Sequence, residues 1–205
     1  MPPILPHSGG GLWTTLVPMS RWDAVVLAGG RGRRLGGVDK PSLVVAGRTL
    51  LDTALDACAE ARATVVVGPR RPTKRPVDWT REEPPGGGPL AALAAGVRAL
   101  PPDAPLVVVV AADLPAVSAG AVRGLVEVVD RDGAVAVDTA GRIQPLLAAY
   151  RTDALRQALA AVGDPHGRPM HDLVETLSLT RVPTPDATDD IDTPGDLARW
   201  QEGRP

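Results

Sequence analysis

Three short apolar runs constrain the fold more than anything else in this chain: AVVLAG (Ala24–Gly29), TVVVG (Thr64–Gly68) and LVVVVAA (Leu106–Ala112). A strand with one wet face alternates apolar and polar side chains, whereas a run that is apolar throughout has both faces covered. Between the runs lie stretches with apolar residues at helical spacing, over Leu50–Ala61, Pro89–Leu100 and Ala119–Val129, and later over Asp153–Val162 and Met170–Leu177. Buried strands alternating with helices predict an α/β fold of three layers, a mostly parallel sheet between two layers of helices. Ala134–Val137 reads as a further short strand, Pro145–Tyr150 allows another, and Thr193-Pro194 with Asp196 forms a capping-box start for a last helix.

Composition narrows the class. The 205 residues suit one ordinary domain, expected over 21–205. Aromatic residues are 2% of the chain and Phe is absent, so the core has to be built of Val, Leu and Ala. Basic and acidic residues number 22 and 24, which removes the electrostatic footprint of a nucleic-acid binder. No apolar run approaches the roughly 20 residues of a membrane-spanning helix. Cys58 is the single cysteine, which excludes an internal disulfide and a thiolate zinc site and fits a cytoplasmic location. Residues 1–20, rich in Pro and Gly and without periodicity, read as a disordered extension, and Met19 offers an alternative start.

The chemistry gathers behind the first strand, in LAGGRGRRLGGVDKP (Leu27–Pro41), where five glycines mingle with Arg31, Arg33, Arg34 and Lys40. Glycines let backbone N–H groups approach an anion, and the cations supply countercharge for phosphates. The loop stands beyond the carboxyl end of a strand, where open α/β sheets bind their ligands. Lysine is rare here, with only Lys40 and Lys74 against an excess of arginine, so a lysine inside this loop stands out. Lys40 is followed by Pro41 and not Ser or Thr, which excludes a P-loop. The interval from Gly32 to Gly36 and the delayed helix argue against a dinucleotide fingerprint.

LVVVVAA leads straight into Asp113, delivering a carboxylate to the same sheet edge. Mg²⁺ in phosphoryl-transfer sites is held by one or two carboxylates plus substrate phosphates; a strand-end Asp can also serve only as a helix cap. Asp192 precedes a helix start, where capping is a complete structural account and Thr193 is the better cap. His7, His166 and His171 are too scattered for a metal site.

L-A-G-G-x-x-x-R-x-G-G-x-D-K, read over Leu27, Ala28, Gly29, Gly30, Arg34, Gly36, Gly37, Asp39 and Lys40, resembles the opening motif of the molybdenum cofactor guanylyltransferase family. PPGGGPLAAL (Pro84–Leu93) resembles the family's base-binding G-P-L-A-G segment, with Ala92 where a glycine is expected. AADLP (Ala111–Pro115) resembles its metal-binding C-D-x-P, and GRIQPLLAAYR (Gly141–Arg151) its Q-P-L segment on the acceptor side. The resemblance runs from about Asp23 to Trp200. It implies a Rossmann-like fold of the nucleotide-diphospho-sugar transferase type. It also implies transfer of GMP from GTP to a molybdopterin acceptor with Mg²⁺, and release of pyrophosphate.

On that resemblance Leu27, Ala28, Gly29, Gly30 and Arg34 would hold the nucleotide's phosphates, and Lys40 would reach the α-phosphate. Glu82 would meet the base, Asp113 and Asp192 the metal, and Gln144 and Arg168 the acceptor, with transient contacts to other cofactor-biosynthesis proteins. The alternatives are a cytidylyltransferase acting on the same acceptor and a non-catalytic nucleotide-binding relative. Gly29, where cytidylyl relatives resemble L-A-A-G, favours guanine over cytosine, and the presence of both Lys40 and Asp113 favours an enzyme.

Overall fold

The structure, a computed structural model, describes residues 22–30 and 37–202. The N-terminal extension expected to be disordered and Arg34 lie outside the described residues. Strand β1 (Trp22–Leu27) is buried along its whole length and stands in the middle of a five-stranded sheet. It pairs in parallel with β4 (Thr64–Val67) on one side and β6 (Leu106–Ala111) on the other. Beyond β4 lies β5 (Asp78–Thr80), also parallel. Beyond β6 lies β8 (Ile143–Arg151), running antiparallel. A parallel pair, β7 (Gly133–Val137) and β9 (Leu179–Pro183), continues the layer beside β8, where the Arg151 N–H donates to the Asp132 carbonyl at 2.9 Å.

The unbroken apolar runs have the reason expected of them. Ala24 and Val26 of β1 face one core together with Leu51, Leu55, Val122 and Leu125, which come from α1 (Leu50–Ala57) and α3 (Ala119–Glu127). Val25 and Leu27 face a second core shared with α2 (Gly88–Ala99), α4 (Thr152–Val162) and the short α5 (His171–Val174). Three layers follow, as the sequence predicts. At Gly96 a Cβ would come within 2.5 Å of Val25 Cγ1, so glycine is what lets α2 lie this close to the sheet.

The differences are at the margins. The helix expected to run to Ala61 stops at Ala57, with Cys58 closing it, and that expected over Met170–Leu177 is only the single turn of α5. Strands β5 and β9 were not expected, because DWT and LTRVP are short, half-exposed and carry charge or Pro. Neither has the apolar content that marks a buried strand. The chain from Lys40 to Thr49, which delays the helix after the glycine loop, takes defined structure. A 3-10 turn (Lys40–Ser42) leads into a hairpin of β2 (Val44–Val45) and β3 (Arg48–Thr49), and Thr49 then caps α1 through the Asp52 N–H.

The last helix, α6 (Pro194–Gln201), opens with the expected Thr193/Asp196 capping box. Ile191, fully buried, packs with Val45 and Leu50 and against Leu197 and Trp200. This small satellite core carries the C-terminal segment back to the functional edge of the sheet.

Candidate functional site

The carboxyl ends of β1, β4 and β6 are tied together beyond the last paired residues. Ala28 N–H donates to Val67 O and Ala112 N–H to Leu27 O, each at 2.9 Å. Gly68, at φ +147°, would place a Cβ 2.6 Å from the Ala28 carbonyl, so the chain after β4 can pass here only as glycine. The effect is to fix Ala28–Gly30 at the floor of a cavity of about 440 Å³. Gly29, Gly30, Lys40, Glu82, Gly88 and Asp113 all line it, together with Leu27, Ala92 and Leu146. Residues from four separate sequence segments thus meet around one space.

At the mouth of this cavity stands a cluster of charge. Carboxylate oxygens of Asp113, Asp190 and Asp192 lie within 4.8 Å of one another. The Lys40 ammonium is ion-paired with Asp192 and lies 3.9 Å from Asp113 Oδ2, with only 17% of its side chain exposed. The cluster is assembled by the backbone: the Ile191 N–H donates to the Asp113 carbonyl at 3.2 Å, while the Ile191 side chain is buried on the other side. In an extended segment, residues two apart share a face, so burying Ile191 turns Asp190 and Asp192 together towards Asp113.

Burial raises the Asp113 carboxyl above its ordinary pKa, and Asp190 and Asp192 push the same way against the pull of Lys40. Asp190 is raised for similar reasons, burial first and then Asp192. Among the described residues one ammonium stands among these three carboxylates. Closely spaced hard oxygen ligands of that kind suit a divalent cation.

The remaining candidates divide. Glu82 is in the cavity wall, where one carboxylate oxygen accepts from the Gly86 N–H at 3.0 Å and shapes the turn before α2. That helix begins at Gly88 without a side-chain cap, so its first N–H groups remain open to an acceptor. Thr193, not Asp192, caps α6, which leaves the Asp192 carboxylate to the cluster. Gln144 and Arg168 are not brought into the cavity wall. The Gln144 amide donates to Asp138 Oδ2 at 3.3 Å. The Arg168 guanidinium turns onto Asp172 at 2.5 Å, although its neighbour Gly167 donates to the Gly87 carbonyl. From the Q-P-L segment it is Leu146 that lines the cavity.

Two residues went unread in the sequence. Asp190 had a signal, the D-I-D alternation of two acids about a single apolar residue. Arg71 had none. It sits in a basic loop among Pro69, Arg70, Pro72 and Lys74, and only the fold singles it out.

Residues 24–180 match the family model of the MobA-like NTP transferase domain. A molybdenum cofactor guanylyltransferase of Acidiphilium cryptum is 40% identical over 87 residues, 38% of this chain and 43% of that protein, so the match spans less than half of that relative. A protein of Mycobacterium tuberculosis named a probable molybdenum cofactor guanylyltransferase is 34% identical over 166 residues, covering 77% of this chain and 81% of its own. Among solved structures, the molybdopterin-guanine dinucleotide biosynthesis protein A of Archaeoglobus fulgidus shares the fold with a TM-score of 0.68 at 24% identity, over 88% of this chain and 97% of that one. No helix among the described residues is long and apolar enough to cross a membrane.

Proposed function

The chain belongs to the MobA-like NTP transferase family, and from that premise we propose that it transfers GMP from GTP to the terminal phosphate of a molybdopterin-type acceptor. An oxygen of the acceptor phosphate bonds to the α-phosphorus, the α–β phosphoanhydride bond breaks, and pyrophosphate leaves. The attacking phosphate is already anionic, so the reaction needs no strong general base; what it needs is alignment and neutralised charge.

The residues divide that work. Gly29 and Gly30 line the cavity, and their N–H groups would donate to phosphate oxygens. The Lys40 ammonium is a compact point charge and suits the α-phosphate better than a guanidinium fork. Asp113, Asp190 and Asp192 would hold Mg²⁺, which when bound would neutralise charge on the α-phosphate and the leaving group. Glu82 can accept from the ring N–H and the amino group of guanine, while the uncapped first turn of α2 offers N–H groups for the base carbonyl. Gln144 and Arg168 remain on the acceptor side of the proposal, reached by rotation of the half-buried Gln144 side chain away from Asp138 and of the exposed Arg168 side chain away from Asp172.

One observation carries the reading. Lys40 and the three acids stand at one cavity with Gly29, Gly30 and Glu82, so triphosphate chemistry and base recognition fit a single ligand. Binding titrations of GTP, CTP, ATP and UTP with Mg²⁺ test it. GTP is expected to bind at least about tenfold more tightly than CTP, a difference of about 1.4 kcal/mol. Equal affinities, or a preference for CTP, overturn the guanylyl reading and leave family membership intact.

A further inference from the structure

Arg71 belongs to no motif used above, yet its head group is more enclosed than that of any ion-paired arginine among the described residues, with 9% of the side chain exposed. Arginine normally keeps its guanidinium in water. This one is held by partners on three stretches of chain. Nε donates to Asp39 Oδ2 at 2.8 Å, and Nη2 reaches the other oxygen of the same carboxylate, a two-pronged fork. Nη1 donates to the Ala28 carbonyl at 2.9 Å and to the Pro69 carbonyl of its own loop at 2.8 Å. Asp39 is further tied to Ser42 Oγ in the turn that carries Lys40.

The positions of these partners give the contact its meaning. Ala28 immediately precedes Gly29 and Gly30, and Asp39 immediately precedes Lys40. A single planar group therefore joins the stretch that offers backbone N–H donors to the turn that offers the ammonium. A lysine side chain is flexible, and its ammonium is placed only as well as the backbone beneath it. A rigid fork with its donors in fixed directions can tie those two stretches together, whereas a lysine in its place could not reach all the partners at once.

We propose that Arg71 is a positioning residue for the nucleotide's phosphates: it sets Lys40 against the Gly29–Gly30 amides without touching the ligand. The proposal rests on the nucleotidyltransferase reading but not on the identity of the base. The competing account is a staple that contributes stability alone. The two differ in what the phosphates of the ligand add to binding.

The experiment uses the full chain with Arg71→Lys, Arg71→Ala and Asp39→Asn. It measures melting temperature, Mg²⁺-dependent affinity for GTP and for guanosine, and kcat and KM from pyrophosphate release. Arg71→Ala is expected to weaken GTP binding by at least about tenfold and to lower kcat, with guanosine affinity within about twofold of wild type. Arg71→Lys keeps the charge but not the fork and is expected to recover less than half of the loss. Combining Arg71→Ala with Asp39→Asn should cost no more than Arg71→Ala alone, because both break one link.

Wild-type GTP affinity and kcat in the Arg71→Lys chain overturn the proposal, and so does equal weakening of GTP and guanosine. If Arg71→Ala does not fold, Arg71→Lys decides. Should the wild-type chain prefer CTP, the guanylyl reading falls, and the same comparison is made with CTP and cytidine. An absent phosphate-dependent loss there overturns the role of Arg71 separately.

Discussion

Two aspartates stand at opposite ends of neighbouring parallel strands, and burial pushes the pKa of both upwards. Asp23, the second residue of β1, is fully buried. Its Oδ1 accepts from the Ala63 N–H at 3.2 Å and lies 3.5 Å from Arg62 Nε, while Oδ2 has no hydrogen-bond partner among the described residues. Asp113, just past the end of β6, keeps 30% of its side chain exposed and faces Lys40 and two more acids across a cavity. Desolvation alone therefore does not identify function. What separates the two ends is company: Asp23 shares Arg62 with Asp103 and takes a backbone donor, whereas Asp113 joins two more carboxylates within reach of one ion, with Lys40 as the ammonium among the described residues. Among the described residues only the second arrangement brings three carboxylates together beside a cavity, and that is the one suited to a ligand.

The sharpest break of that comparison is to neutralise each end in turn. Asp113→Asn keeps shape and relieves repulsion within the cluster, so the melting temperature should hold or rise slightly. A neutral oxygen cannot replace an anionic ligand to a hard cation, so Mg²⁺-dependent turnover is expected to fall by at least about a thousandfold. Asp23→Ala should do the reverse. It leaves the Ala63 N–H without its acceptor, a loss of about 1–3 kcal/mol, while kcat stays within about twofold. Pyrophosphate release alongside thermal melts reads both. Near-wild-type turnover in Asp113→Asn would reduce Asp113 to a structural role and erase the contrast.

Lys40→Arg sharpens the functional end with a smaller expected effect. The charge is kept, so the ion pair with Asp192 has a replacement and the fold should persist. A guanidinium is broader and more rigid than an ammonium, and the side chain here is mostly enclosed. Turnover is expected to fall by about ten- to a hundredfold with the melting temperature unchanged. Turnover equal to wild type would mean that only the charge of residue 40 matters, not its shape.

How much of this was legible in the sequence follows from where each signal is stored. The three buried strands and the two helical layers were readable because a strand buried on both faces has to be apolar throughout, as Val65–Val67 and Val107–Val110 are. The glycine loop, Lys40 and Asp113 were readable because their chemistry is local: glycines and cations next to a strand end, and a carboxylate at the close of an apolar run. Strands β5 and β9 were not, because edge positions leave Asp78 and Arg181 exposed and the pattern fades. The acid cluster was half legible. Asp192 stood out beside a helix cap, but Asp190 counts only once Ile191 is buried against Val45 and Leu50. Arg71 was illegible in principle, since its partners Ala28 and Asp39 are far from it in sequence, and nothing in its loop sets it apart from Arg70 or Arg75.

The smallest expected effect concerns the strap that brings Asp190 and Asp192 to the site. Asp196 Oδ2 accepts from the Thr193 N–H at 2.7 Å and from the Asp192 N–H at 3.1 Å, and Oδ1 takes Arg199 at 2.5 Å. The Thr193 hydroxyl also donates to Oδ2 at 2.8 Å, and these bonds, that one first, hold the carboxyl down at about 2. Asp196→Ala should cost about 1 kcal/mol as a lost cap, a drop of roughly 2–4 °C in melting temperature for a domain of this size. A depressed carboxyl adds stability while it is ionised in both states, and the contribution disappears as protons fill the folded form. The gap in melting temperature between wild type and variant is therefore expected to be constant above about pH 4 and to close as the pH falls towards 2. Because Asp196 holds the Asp192 N–H, the variant should also bind Mg²⁺ a few-fold more weakly, whereas the Asp23 end of the sheet gives no such link between a local bond and a ligand. A gap that persists to pH 2 would show that the Asp196 contacts do not depend on its charge. Unchanged Mg²⁺ affinity would show that Ile191 alone holds the strap in place.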